Sequence, residues 1–256
     1  MRRRTLVGLL ASLLTLAIAV SAWAVGSAAN TDVSVNYTPS PRNAGTTSKP
    51  TNTSVNLVLR SKTKNGNGQP ATSTSLNILL PKGFKQNSKR WPASRRCDID
   101  KVNAQGDDSV CPTGSKVGNG KSIAKGGADE TKPSGSNNGI TETIVVTAHV
   151  IESGDLGFFL DGKPVTIRPS MIRGVVSGRK LNVKIPPTVQ EPVPGVATGI
   201  ELLQFKLNGT TRIKGKRIGV IQTTACPRGG QWKLAFTNVF RGGARKTSRD
   251  NAACRK

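Results

Sequence analysis

Apolar and polar residues alternate along most of the chain beyond residue 30, which is the period of β-strands that bury one face. The run over residues 141–151 is partly apolar on both faces and predicts a central strand. Gly, Pro and Asn separate the runs, and no segment shows a convincing helical period. The pattern predicts an all-β domain, an antiparallel two-sheet β-sandwich of immunoglobulin-like or jelly-roll type. The strongest runs lie at residues 55–59, 76–80, 141–151, 172–176, 181–185, 203–207 and 232–236.

Two glycine-containing segments predict turns between these strands. Asp161-Gly162 is a hairpin signal that follows the apolar run over residues 156–160. Residues 115–122, SKVGNGKS, are similar to a phosphate-binding loop, but Ser115 stands where the first glycine belongs. Because Cys111-Pro112 precedes this segment instead of a buried parallel strand, we expect a glycine turn there and no nucleotide site.

The N-terminus has the order of a secretory signal peptide. Three arginines at positions 2–4 precede an apolar stretch over residues 6–20, and small residues follow at Ala22, Ala24 and Ala29. We expect a signal peptide at 1–29, a flexible arm at 30–53, the β-sandwich at 54–240 and a basic tail at 241–256. The alternative is an uncleaved signal segment that anchors the domain, since the apolar stretch nearly spans a bilayer.

The chain has four cysteines, which in an exported protein indicate two disulfides. Four cysteines allow three pairings. We favour Cys97–Cys111 with Cys226–Cys254, because each bond then closes a loop near an expected sheet edge. A cysteine pair that is oxidised offers no metal ligand, so we expect no metal site.

Charge is the strongest compositional signal, with 38 Lys and Arg against 14 Asp and Glu, a formal net charge of +24. A charge this large favours contact with polyanions. Basic residues accompany Phe84 and Trp91 between residues 82 and 101, and further basic residues fill the tail. The candidate polyanion-binding residues are Lys82, Lys85, Lys89, Arg90, Arg95, Arg96, Arg241, Arg245, Lys246 and Arg249.

No catalytic constellation stands out in the sequence. His149 is the only histidine, it lies within a strand-like run, and no Ser or Asp lies at a suggestive spacing. A glycosidase needs paired carboxylates, whereas the acids of the β-rich half are scattered singly. We therefore expect no enzyme activity and no cofactor. These scattered acids are Glu142, Glu152, Asp155, Asp161, Glu191 and Glu201.

Three short motifs resemble those of a group of exported proteins from high-GC actinobacteria. They are Leu80-Pro81-x-Gly83-Phe84, the stretch from Cys111-Pro112 to Gly120, and Ala225-Cys226-Pro227-x-Gly229-Gly230-x-Trp232. The resemblance covers residues 55–240. It implies an all-β fold and no established activity, and it assigns no binding residue.

These observations predict an exported, non-catalytic β-sandwich that associates electrostatically with anionic cell-envelope polymers, without specific nucleic-acid recognition. Two alternatives stay open: a secreted enzyme or carbohydrate-binding module that acts on polysaccharide, and a signal-anchored envelope domain.

Overall fold

A computed structural model describes residues 26–64, 66, 68–127, 139–163 and 168–255. The predicted signal peptide falls almost wholly outside these residues. Within them, antiparallel strands dominate, which confirms the all-β prediction. In chain order the strands are β1 (Thr31–Ser40), β2 (Thr51–Asn52), β3 (Ser54–Thr63), β4 (Ser73–Leu79), β5 (Phe84–Gln86), β6 (Lys116–Gly126), β7 (Ile140–Val150), β8 (Leu156–Lys163), β9 (Ser170–Ser177), β10 (Lys180–Lys184), β11 (Thr198–Leu207), β12 (Thr210–Ile213), β13 (Lys216–Gly219), β14 (Ile221–Thr223), β15 (Gln231–Phe240) and β16 (Arg245–Ala253).

Helical structure is short and lies in the connections between strands. The helix α1 (Ile99–Gln105) begins after Asp98, whose side chain accepts a hydrogen bond from Lys101 N, and ends at Gly106 with φ +68°. An Asp at the N-cap and a left-handed Gly at the end are the usual boundaries of a helix. The helix α2 (Pro187–Gln190) is one turn that starts on proline. Within the described ranges, four 3-10 turns cover Ser88–Arg90, Ala93–Arg95, Asp108–Val110 and Thr113–Ser115.

The main sheet has eleven strands in the order β1-β3-β11-β6-β7-β8-β9-β10-β4-β15-β16. A three-stranded sheet, β2-β14-β5, and the hairpin β12-β13 complete the described strands. Every pairing between named strands is antiparallel, and β7 lies between β6 and β8, as its two apolar faces predict.

The two outermost strands of the main sheet lie against each other. Val35 N on β1 donates to Ser248 Oγ on β16 at 3.1 Å, and Tyr37 N donates to Asp250 Oδ2 at 2.8 Å. Beyond the strands, Ala44 N donates to Arg255 O at 2.8 Å. Side chains of β16 thus satisfy backbone donors of β1 that would otherwise face solvent at a sheet edge.

The core is one large apolar cluster inside the main sheet, with a smaller one outside it. Trp91, Trp232, Phe236 and Phe240 are among the largest fully buried side chains. The smaller cluster contains Cys97, Val102, Ile151, Phe159 and Met171, where α1 covers the sheet from outside. Both faces of β8 are therefore buried, which explains why Phe158 and Phe159 are consecutive.

Two disulfides join Cys97 to Cys111 and Cys226 to Cys254, with Cα atoms 4.8 and 5.7 Å apart. The predicted pairing is confirmed. Each bond closes a short segment, 14 and 28 residues in sequence, as expected from the loop argument.

Several local expectations differ from the structure. Asp161-Gly162 lies within β8 instead of forming a turn, and residues 116–126 form a strand instead of a glycine turn. On β6, a Cβ at Gly120 would lie 2.1 Å from Gln204 O, so glycine there permits close approach to β11. The helix α1 was not predicted, because its seven residues are too few to show a clear helical period.

The ends of the domain are also more ordered than expected. The segment 30–53, expected to be a flexible arm, contains the ten-residue strand β1, and the segment 241–256, expected to be a basic tail, contains β16. Few side chains of β16 are apolar, and the strand is held by backbone pairing to β15 instead.

Candidate functional site

The candidate basic residues do not converge on one surface. Lys82 and Lys85 flank Phe84, whose ring packs edge-on against Trp232 with centroids 4.9 Å apart. Trp232 pairs with Ala252, whereas Arg245 lies seven residues earlier on β16. At about 3.3 Å per residue this is a separation of about 23 Å. Arg245 and Lys246 therefore lie at the opposite end of the β15–β16 hairpin.

Several of these cations are used inside the fold. Lys89 Nζ lies 2.6 Å from Asp155 Oδ1, and Arg95 Nη1 donates to Thr211 Oγ1 at 3.0 Å. The Arg96 guanidinium donates to three backbone carbonyls of the surrounding loops. The hydrogen bonds of Lys89, Arg95 and Arg96 hold the segment 82–101 in place. Fewer donor groups of these three side chains are therefore available to a ligand.

Two residues of the C-terminal segment are also paired. Arg241 lies 3.3 Å from Glu191, and Lys246 lies 3.6 Å from Asp32. Lys82, Lys85, Arg90, Arg245 and Arg249 are exposed, and none of the five forms an ion pair within the described part of the chain. Arg245 and Arg249 belong to a larger group of cations on the outer face of the main sheet.

The outer face of β10, β4, β15 and β16 carries a rectangle of cations, which we call the basic face. One row across the four strands runs Lys180, Leu79, Ala235, Arg249. A parallel row runs Lys184, Ser75, Val239, Arg245. Both rows end in a cation on each side, so the corners are Lys180, Lys184, Arg245 and Arg249, all exposed.

Between these rows lies a row of neutral polar side chains: Asn182, Asn77, Thr237 and Thr247. Thr237 Oγ1 and Thr247 Oγ1 are 2.8 Å apart, and Asn182 Nδ2 donates to Asn77 Oδ1. With strands about 4.8 Å apart and residues about 3.3 Å apart, the corner Cα atoms span about 14 by 13 Å.

No carboxylate lies on this face among the described residues. The only acid of the four strands is Asp250, which points to the other side and accepts the hydrogen bond from Tyr37 N. Lys233, also exposed on β15, adds a fifth cation beside the rectangle. Lys180 and Lys184 on β10 and Lys233 on β15 were not among the predicted residues, because only the strand order brings them beside Arg245 and Arg249.

A second cluster surrounds His149 on β7. Ser115 Oγ lies 2.8 Å from His149 Nδ1, and Asp108 Oδ2 lies 3.0 Å from His149 Nε2. Thr147 Oγ1 also donates to Asp108. These partners were not predicted, because Asp108 and Ser115 come from two 3-10 turns after α1 that no sequence pattern indicated.

Burial lowers the pKa of His149 below its usual 6.5, and Lys116 acts in the same direction, whereas Asp108 opposes them. The neutral ring then donates from Nε2 to Asp108 and accepts from the Ser115 hydroxyl at Nδ1. These are the roles of a Ser-His-Asp triad, with the two ring nitrogens exchanged relative to the serine proteases. Ser115 is fully buried, however, so its hydroxyl is closed to substrate in this conformation.

The Cys97–Cys111 disulfide lies beside this histidine. One ligand atom from each of Cys97, Cys111 and His149 can be chosen so that all lie within 4.8 Å of one another. The two sulfur atoms are bonded to each other, and cysteine binds zinc as a thiolate, which a disulfide does not provide. The oxidised protein therefore uses the two cysteines as a covalent link in this cluster.

Asp155 is the most buried acid of the scattered set, with 1% of its side chain exposed. It accepts from Lys89, from Arg173 Nη2 at 2.6 Å and from Val176 N at 3.0 Å. Burial acts to raise its pKa, but the hydrogen bonds from Lys89, Val176 N and Arg173 outweigh it and lower the pKa to about 2. Asp155 is thus ionised at neutral pH and joins β9 to the 3-10 turn that carries Lys89.

No model of a known protein family matches this chain, and no curated protein matches it. In the part of the chain that the structure describes, no helix is both long enough and apolar enough to cross a membrane.

Proposed function

We propose that the protein is exported and associates, without catalysis, with anionic polymers of the cell envelope through its basic face. The observation that carries this proposal is the set of four exposed corner cations on a sheet face that has no carboxylate among the described residues. Phosphate or carboxylate groups along a polymer would meet the corners, and the central Asn and Thr side chains would hydrogen-bond to hydroxyl groups between them. The proposal includes cleavage of the signal peptide.

The proposal also keeps the two-layer sandwich predicted from the sequence. The Phe158 ring on β8 packs edge-on against Phe205 on β11 with centroids 5.4 Å apart, although two strands separate β8 from β11 in the sheet. A contact of this kind across the interior supports a sheet whose halves face each other.

Salt dependence of binding tests the electrostatic contact. Double-stranded DNA and poly(glycerol phosphate) serve as model polyanions, with binding measured from 50 to 200 mM salt. Each neutralised phosphate adds about 0.9 to the slope of log affinity against log salt on DNA. Replacing Lys180, Lys184, Arg245 and Arg249 together by Gln should reduce that slope by about 3 to 4.

A matched control replaces two Arg and two Lys elsewhere on the exposed surface: Arg60, Lys62, Lys206 and Arg212. It removes the same net charge, so it should change the slope by less than about 1 if the basic face makes the contact. Equal losses from both variants would mean that net charge alone drives binding, and salt-independent binding would reject the electrostatic proposal.

An ester or amide hydrolase is the second candidate, and the hydrogen-bonded series Asp108–His149–Ser115 is the observation that favours it. A fluorophosphonate probe reacts with a serine hydroxyl that a neighbouring base activates. Our leading proposal predicts no labelling, because Ser115 is buried. Labelling of the native protein that the Ser115→Ala variant abolishes, and that Ser109→Ala leaves unchanged, would establish the hydrolase instead.

A further inference from the structure

The interior of the main sheet contains a cavity of about 80 Å³. Side chains from β3, β4 and β6–β11 line it, with Val189 of α2 at one side. Most of these side chains are aliphatic or aromatic, the exceptions being Ser73, Ser122, Gln190 and Thr198. The small side chain of Ala124 lines the cavity between its pairing partners Ile200 on β11 and Glu142 on β7. No charged residue lines this cavity within the described chain.

A second cavity, of about 60 Å³, lies next to the first and shares Ala124 and Thr198 with it. Its other lining residues include Glu142 and the apolar residues Ile140 and Val193. Ile140 is 50% exposed and Val193 is 41% exposed. The second cavity therefore has apolar side chains at its solvent-facing rim and an apolar cavity on its inner side.

The strand β11 is open to solvent at this end. Ile200 and Leu203 face inward, because they pair with the buried residues Ala124 and Leu59, yet both are only partly buried. The pairing of β11 with β6 shifts register between Ile200 and Leu202. Inward-facing apolar residues that stay partly exposed on a strand within the sheet indicate that the interior is accessible beside this irregularity.

We propose that the two cavities bind the alkyl chain of an amphiphilic molecule, with the chain end in the larger cavity and the polar end at the Ile140–Val193 rim. An apolar cavity excludes water but accepts apolar guests, as an engineered cavity of about 150 Å³ accepts benzene. The two adjacent volumes together are close to that size. The occupant is thus a short alkyl segment, and this proposal does not depend on the basic face.

A series of n-alcohols from butanol to dodecanol tests the proposal on the wild-type protein, because their uncharged head groups do not respond to the basic face. Each added methylene that enters the cavities should tighten binding about fourfold. We expect this increase over the first several carbons and then a plateau once the cavities are full. Isothermal titration calorimetry measures the affinities, and xenon binding followed by ¹²⁹Xe NMR reports the cavity independently.

The Ala124→Leu variant fills the space shared by both cavities and should weaken binding of the longest alcohols at least tenfold. The matched control is Ala104→Leu on the exposed side of α1, which should leave binding unchanged. Absence of binding by the wild type to both the alcohols and xenon would overturn the proposal, as would equal binding by Ala124→Leu. If Ala124→Leu does not fold, the chain-length series and xenon on the wild type decide the question.

Discussion

Replacing Asp155 by Asn removes a buried charge while keeping nearly the same shape. The side chain is 1% exposed and is surrounded by donors from Lys89, Arg173, Ser153 and Val176 N. An amide can accept on only one atom, so the charge-assisted hydrogen bonds are lost or weakened. We expect the variant to fold but to be less stable at neutral pH.

The pKa of Asp155 gives the size of the effect. A fall from 3.8 to about 2 corresponds to roughly 2 kcal/mol at about 1.4 kcal/mol per pH unit. Because the folded-state pKa lies below the unfolded value, this stabilisation is fully present above about pH 5 and is lost as the pH falls towards 2. For a domain of this size, 2 kcal/mol lowers Tm by about 4 to 8 °C.

Urea unfolding at pH 7 and at pH 2.5 measures the difference between wild type and Asp155→Asn. The deficit of the variant should be about 2 kcal/mol at pH 7 and should shrink greatly at pH 2.5, where the wild-type carboxyl is partly protonated. Asp32→Asn is the control, because Asp32 is exposed and its 3.6 Å pair with Lys246 should contribute less than about 1 kcal/mol. An equal deficit at both pH values would refute the reasoning, since the cost would then come from packing and not from charge.

Two further predictions concern His149 and the C-terminal disulfide. The pKa of His149 lies below its unfolded value, so its contribution to stability is complete above about pH 6.5 and falls as the pH decreases through the range just below. His149→Gln should remove this pH dependence in unfolding measured from pH 7.5 to 5, and an unchanged slope would contradict the assignment. Replacing both Cys226 and Cys254 by Ala should lower the free energy of unfolding by about 3 to 4 kcal/mol, because the bond closes a 28-residue loop. Reduction of the wild type in denaturant titrations opens both disulfides and should give a larger loss than this variant. A loss below about 1 kcal/mol in the variant would show that the Cys226–Cys254 bond does not restrict the unfolded chain.

The alternation of residue types predicted the strands because burial on one face of a sheet acts on every second residue. The cysteine pairs were also predictable, since each partner is close in sequence and lies at the end of a loop. The strand β16 was missed as a strand because its buried face is polar: Ser248 and Asp250 contact β1 through hydrogen bonds instead of apolar packing.

The candidate sites were harder to predict than the fold because strand order creates them. Lys184 and Arg245 are 61 positions apart and share a face only because β4 and β15 lie between β10 and β16. His149 likewise meets Asp108 and Ser115 because β7 pairs with β6 next to two 3-10 turns. In both arrangements the residues are too far apart in sequence to form a motif that a single sequence would show.

The contact between β1 and β16 has a consequence for how the protein folds. The two strands come from opposite ends of the described chain, and Val35 and Tyr37 on β1 meet partners 213 residues later. Contacts between such distant positions require closure of a very long loop, which slows folding relative to local pairing. The contact between β1 and β16 should form late, after the central strands have paired. Refolding should therefore show early protection from hydrogen exchange in β6, β7 and β8 and late protection at the Val35 and Tyr37 amides, which donate to β16.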